Sequence, residues 1–326
     1  MTPAPPSPQL RALKFSPFLN HPIPTITTTS PDTPYYRPSP LGDNTLTAFP
    51  FSNRDIPGFY VVIPAGGAST YGLYPGGTPK IPPGSSATRT TTVAGPGHVS
   101  SIRERLPNLL PNNLFCEPGP KDSMAAIGLA AAVLARRDPE AVIGSFAADP
   151  MILGFLSAVA EAVEVARKDY LVTIGIAPSH PSTGFGYVRL GEKLGMKEAS
   201  NARLVSSFKE KPDARTAASY IATGNYRWNP GMFVTKATFL LQLLDEYKPE
   251  LAEGLRRIAE VWDDETQRQV VLEEVWSGLE KIPIDNAVAE PAAIEGRVAV
   301  VPATFGNHCV AFLSFFVADK FCRRLG

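Results

Sequence analysis

The chain has 326 residues, 44% hydrophobic and 19% charged, enough apolar material for one large or two ordinary globular domains. Thirty-one Lys plus Arg balance thirty-one Asp plus Glu, so no field of one sign draws in a polyanion, and nucleic acid is excluded as a main partner. Cys116, Cys309 and Cys322 are widely separated and lack a C-x-x-C spacing, which fits a reducing cytoplasm. With no apolar run of about 18 residues and no charged-then-apolar leader, the protein reads as soluble, cytoplasmic and free of the membrane.

Residues 1–57 hold 13 of the 33 prolines and a Thr/Ser-rich run at Thr25–Ser30. They show no apolar period of 2 or 3.6 and are expected to form a disordered extension. Order is expected to begin at Phe59-Tyr60-Val61-Val62-Ile63, a buried strand that runs into Pro64-Ala65-Gly66-Gly67. Residues 66–97 are rich in Gly, Pro, Ser and Thr, with Arg89–Ala94 as the one strand. Asp122 or Ser123 then caps a helix over Ser123–Arg137, carrying Met124, Ile127, Leu129, Val133 and Leu134.

Ala141–Phe146 predicts a second buried strand, Leu153–Lys168 a helix and Tyr170–Ile176 a third strand. This alternation implies a parallel sheet covered on both faces. Farther on, Arg203–Phe208, Met232–Thr235 and Arg297–Pro302 predict strands. Residues 213–223, 236–246, 250–262 and 264–276 predict helices with apolar faces.

Several segments carry chemistry. Ala65-Gly66-Gly67 ends one strand and Phe146-Ala147-Ala148-Asp149 another; Phe208-Lys209-Glu210-Lys211-Pro212 and Trp228-Asn229-Pro230-Gly231-Met232-Phe233 follow. Glu117-Pro118-Gly119-Pro120-Lys121-Asp122-Ser123, Thr183-Gly184-Phe185-Gly186-Tyr187 and Ile284-Asp285-Asn286-Ala287-Val288-Ala289-Glu290 fall in order between and after them. Together, from about Phe59 to Phe305, they resemble the mannose-1-phosphate guanylyltransferases, a family of nucleotide-sugar pyrophosphorylases.

The resemblance implies the nucleotide-diphospho-sugar transferase fold. This is an α/β, Rossmann-like mixed and mostly parallel sheet with helices on both faces, here missing one crossover. It divides the chain into the extension 1–57, a nucleotidyltransferase domain over 58–310 and a divergent tail over 311–326. It implies that GTP and mannose 1-phosphate react to give GDP-mannose and pyrophosphate, with Mg²⁺ as cofactor, small molecules as partners and a homo-oligomer as a further option.

Ala65, Gly66 and Gly67 would let the backbone approach base and phosphates, although a Gly-Gly pair also makes a plain turn. Lys80 matches the lysine that closes the phosphate loop, where an ammonium offsets charge on the triphosphate; its bland alternative is a solvated loop lysine. Asp149 matches the Mg²⁺ ligand, with a helix cap as the alternative. Glu117, Lys121 and Asp122 match a charged turn beside the nucleotide. On the sugar side, Glu210 would accept bonds from hydroxyls, Lys211 would meet the sugar phosphate, and Asn229 would face mannose hydroxyls. Gly184 and Gly186 would let backbone approach the sugar.

The pattern breaks in two places. The family's first loop carries an arginine that is absent between Gly67 and Lys80, and the strand Arg297–Pro302 leads into Phe305-Gly306-Asn307-His308-Cys309 without the family's aspartates. Losing one donor to the transferring phosphoryl group costs about 3 kcal/mol of transition-state binding. The pair His308 and Cys309 suits a softer metal than Mg²⁺. A catalytically impaired relative that binds a sugar nucleotide or regulates an active homologue therefore stands as the alternative, beside a decayed gene copy.

Overall fold

The computed structural model describes residues 56–65, 87–146 and 153–303. The chain divides into the units Met1–Leu46 and Thr47–Gly326, and all described residues belong to the second. The expected extension, the glycine turn, Lys80, Asp149, His308, Cys309 and the tail lie outside the described residues.

Ten strands form one sheet: β1 (Phe59–Ala65), β2 (Thr90–Ala94), β3 (Leu114–Cys116), β4 (Val142–Ser145), β5 (Leu171–Ile176), β6 (Gly186–Lys193), β7 (Arg203–Lys209), β8 (Tyr226–Asn229), β9 (Phe233–Lys236) and β10 (Val298–Ala303). Their order across the sheet is β10-β7-β6-β8-β5-β9-β4-β1-β2-β3. An extra pairing of β10 with β5 closes the strands β5, β10, β7, β6 and β8 into a ring.

The first half follows the expectation: β1 pairs in parallel with β2 and β4, and β2 with β3. The second half corrects it. Of the ten pairings among the described residues, four are parallel and six antiparallel, so the sheet is mixed and not mostly parallel. The physical reason lies in the connections. The link from β6 to β7 holds no helix, and a link without a crossover element lets neighbours run only antiparallel. The chain joining the adjacent parallel strands β1 and β2 lies largely outside the described residues, as does the expected missing crossover.

Helices cover both faces. On one, α2 (Asp122–Arg137) packs inward on β1 and β2 and outward on α5 (Ala237–Tyr247) and α6 (Pro249–Glu260). Met124 through Leu134 are all buried, so this helix is enclosed on every side, which explains its run of Ala and its Gly128. A Cβ on Gly128 would sit 2.6 Å from Leu255 Cδ1; the missing side chain is what lets α6 come close. Beyond α6 lies α7 (Glu265–Trp276), started by Asp264, which accepts bonds from the amides of Thr266 and Gln267 at 3.0 Å each. On the other face α3 (Leu153–Ala166) packs on β5, β9 and β10.

The short α1 (Val99–Arg105) joins β2 to β3, α4 (Ala214–Ala222) joins β7 to β8, and a π-helical turn (Asp285–Ala289) leads into α8 (Glu290–Ile294). Among the described residues no helix is long and apolar enough to cross a membrane.

Candidate active site

The register places two groups of candidate residues along one edge of the sheet. Strands β1, β2, β3 and β4 point the same way. Strand β9 is antiparallel to both β4 and β5, so β5 shares that direction. The carboxyl ends of these five strands therefore face one edge, the side on which α/β sheets bind ligands.

At the first group, Ala65 ends β1 opposite Ala94 of β2, and Ala94 pairs with Cys116 of β3. The amide of Glu117 donates to the Ala94 carbonyl at 2.9 Å, so Ala65 and Glu117 flank the end of β2 from its two sides. The Glu117 side chain is 2% exposed, and burial pushes its carboxyl up to about 7. Phe146, just past the end of β4, donates its amide to the Val62 carbonyl of β1 at 3.1 Å.

The turn after Glu117 is tied down from outside. Trp276 Nε1 donates to the Gly119 carbonyl at 2.7 Å, and Lys121 Nζ donates to the carbonyls of Ser277 and Leu279 at 2.6 and 2.7 Å. The Lys121 ammonium thus closes the carboxyl end of α7, a favourable place for a cation. Asp122 takes a left-handed backbone at φ 67°, and its carboxylate accepts the Ser123 amide at 2.8 Å. It stands as the first residue of α2 with Lys121 in the cap position. Ser123 Oγ accepts from the Ile284 amide at 2.9 Å, which joins this helix start to the second group.

The second group surrounds Asn229, the last residue of β8. Asn229 pairs with Gly186, the first residue of β6, while Tyr187 pairs with Lys209 at the end of β7. Gly186, Asn229 and Glu210 are thereby gathered at one point. A Cβ on Gly186 would meet Glu210 Oε2 at 2.5 Å and Asn229 Nδ2 at 3.4 Å, so only glycine lets the Glu210 carboxylate and the Asn229 amide come this close to the β6 backbone. Gly184 is held nearby, its amide donating to Ser182 Oγ at 3.2 Å.

Asn229 is 3% exposed. Its Oδ1 accepts from Thr173 Oγ1 at 2.7 Å and from the Gly231 amide at 3.2 Å, and its Nδ2 donates to Asp285 Oδ1 at 2.6 Å. Beneath it Trp228 is fully buried and touches His180 and Phe185 edge-on or tilted.

Glu210 and Lys211 form an ion pair, with Lys211 at a left-handed φ of 42°. Burial pulls the Lys211 ammonium down, but the hydrogen bond and charge of Glu210, with the charges of Asp285 and Asp122, outweigh it and the net shift is upward. The Glu210 amide donates to Glu290 Oε1 at 3.2 Å, and Asn286 Nδ2 donates to Glu290 Oε2 at 3.1 Å. Asp285 is the functional candidate that residue-by-residue reading of the sequence missed. Burial first, then the charge of Glu210, pushes its carboxyl up to about 7. Its signals in the chain are a carboxylate among mostly apolar residues from Ile284 to Ala289 and its place in the Ile284–Glu290 segment of the resemblance.

Among the described residues no group of three or more His, Cys, Asp or Glu could hold a metal ion. The described part of the site therefore assembles no all-protein Mg²⁺ cage.

The nucleotidyl transferase family matches residues 87–279, more than half of the chain, and the chain belongs to that family. Within it several relatives are named mannose-1-phosphate guanylyltransferase. The mannose-1-phosphate guanylyltransferase of Escherichia coli (strain K12) is 35% identical over 204 residues, covering 61% of this chain and 42% of that protein. The mannose-1-phosphate guanylyltransferase RfbM of Salmonella typhimurium (strain LT2) is 40% identical over 147 residues, covering 44% of this chain and 30% of that protein. The chain thus spans less than half the length of these relatives. A crystal structure described as a mannose-1-phosphate geranyltransferase from Thermus thermophilus superposes with a TM-score of 0.61 at 26% identity, over 76% of this chain and 75% of that one.

Proposed function

We propose that the chain is a nucleotidyltransferase that makes GDP-mannose and pyrophosphate from GTP and mannose 1-phosphate, acting on these small molecules in the cytoplasm. The observation that carries this reading is the meeting of Gly186, Glu210 and Asn229 at one strand edge, in a member of the nucleotidyl transferase family whose curated relatives are named for this activity.

On the sugar side, Glu210 accepts hydrogen bonds from hydroxyls, Asn229 faces the ring, and Gly184 and Gly186, having no side chains, let the backbone approach it. Lys211 stays protonated and exchanges its Glu210 partner for the sugar phosphate. The nucleotide side consists of Ala65, Gly66, Gly67, Lys80, Glu117 and Asp122. Lys121 supports that turn through Ser277 and Leu279, and a nucleotide contact from its ammonium must compete with those two bonds.

With both substrates oriented, a phosphate oxygen of mannose 1-phosphate attacks the α-phosphorus of GTP in line. A new P–O bond forms, the bond from the α-phosphorus to the bridging oxygen breaks, and pyrophosphate leaves with that electron pair. Asp149 is the residue that would hold Mg²⁺, which would offset the negative charge of the GTP phosphates.

The test is pyrophosphate release from GTP, mannose 1-phosphate and Mg²⁺, with Asp149→Ala as control. Product above the control is expected; none above it overturns the catalytic reading. Binding of GDP-mannose without turnover marks the impaired relative that the missing loop arginine and the absent aspartates suggest.

A further inference from the structure

Asn229 can make four side-chain hydrogen bonds, two at each end of its amide. The Gly231 amide can only donate, so it must face Oδ1, and Asp285 must then meet Nδ2. Both lone-pair positions of Oδ1 are taken, by Thr173 and Gly231, and one Nδ2 hydrogen goes to Asp285. What remains for a ligand is one N–H, next to Glu210 Oε2 over the bare Cα of Gly186.

We propose that Asp285 is a positioning residue that, together with Thr173 and the Gly231 amide on Oδ1, holds Asn229 as a pure donor. The pocket then presents one N–H and one carboxylate oxygen to a single hydroxyl of a hexose phosphate. The assignment of the ligand rests on the function proposed above; the locking of Asn229 does not. A hydroxyl fits because it accepts from Asn229 and donates to Glu210 Oε2 at once, whereas a carbonyl or ether oxygen brings no donor to Oε2. Asp285 reaches the pocket only through Asn229, so it shapes the choice of ligand without contacting it.

The charges acting on Asp285 are those of Glu210 and Lys211 beyond β7; Asp122 at the start of α2 acts in turn on Lys211, and Glu290 at the start of α8 accepts the Glu210 amide. Burial and the nearby Glu210 place its titration close to neutrality, which supplies a signal that needs no ligand. The Asn229 side-chain amide of the full chain is followed by NMR across about pH 5.5 to 8.5. A shift with a midpoint near neutrality, absent from Asp285→Asn, is expected. No shift, or an identical shift in Asp285→Asn, overturns the locking.

Calorimetry with mannose 1-phosphate and, separately, GTP tests the consequence. Asp285→Ala should weaken mannose 1-phosphate by about tenfold or more while GTP stays within about twofold, with Asp285→Asn between wild type and Asp285→Ala. Equal loss for both ligands, or none, overturns the positioning role. If wild type does not bind mannose 1-phosphate, the proposed function fails, and the NMR result on the wild-type chain still decides whether Asp285 holds Asn229.

Discussion

Asn229 shows how much of a site lies in partners that the sequence does not place beside it. Its two buried side-chain partners, Thr173 and Asp285, are each 56 positions away. The segment around Asn229 is legible as a motif, but nothing in it says which end of the amide is free. Gly186 offers a cleaner test at this scale. Its virtual Cβ meets the far end of Glu210, which can swing away, so Gly186→Ala should leave the thermal midpoint nearly unchanged while it fills the space over which a hydroxyl would sit. We expect mannose 1-phosphate affinity to fall by about tenfold or more with GTP affinity retained; calorimetry with both ligands checks it, and unchanged sugar-phosphate binding would place the sugar elsewhere.

At the scale of elements, six predicted helices appear within a few residues of their expected bounds, because each carries an apolar face or a run long enough to show. Strands β3, β6 and β8 are absent from the sequence-based expectations. Strand β6 ends in Gly-Glu-Lys and β8 reads Tyr-Arg-Trp-Asn, so neither shows the alternation of a half-buried strand, and their pairing comes from the ring they close. The start of α2 also differs: Asp122 meets the adjacent Ser123 amide instead of capping from outside. The helix interior yields a sharper prediction. At Gly128 a side chain would run into Leu255 Cδ1, with Leu244 Cδ1 and Met124 Cε each at 3.4 Å. Gly128→Val should therefore destabilise the fold by about 1 to 3 kcal/mol, read as a lower urea midpoint at unchanged slope; an unshifted midpoint would mean that α6 yields freely.

For the whole molecule, two buried carboxyls act in the same direction on stability. Glu117 and Asp285 are both pushed up to about 7 in the folded chain, against about 4 when unfolded. The folded state thus holds these protons more tightly. Its stability from them is fully present below about pH 4 and is lost as pH rises through about 7, flattening above. Asp213, Asp264 and Glu295 are shifted the other way, the first two by hydrogen bonds from their own helix starts and Glu295 by Tyr247 and Arg297. They lose their contribution only as pH falls below their ordinary range, so the two effects occupy different windows. Urea melts at a series of pH values should show stability falling between about pH 4 and 7 by on the order of a few kcal/mol. The double variant Glu117→Gln with Asp285→Asn should flatten that slope and be the more stable protein at about pH 8; a slope that survives in it would assign the protons to other groups.

The sequence by itself determined the elements whose cause is local: the buried runs of β1, β4 and β5, the enclosed helix α2, and the ordered motifs that signal membership in the nucleotidyl transferase family. Only the tertiary structure decided that the sheet is mixed and closes into a ring through β10 and β5. It alone placed Lys121 on the end of α7, and Asp285 behind Asn229. Periodicity and turn chemistry act within a few residues along the chain, whereas strand direction and the partner of a buried polar atom depend on which distant segments share one edge of the sheet.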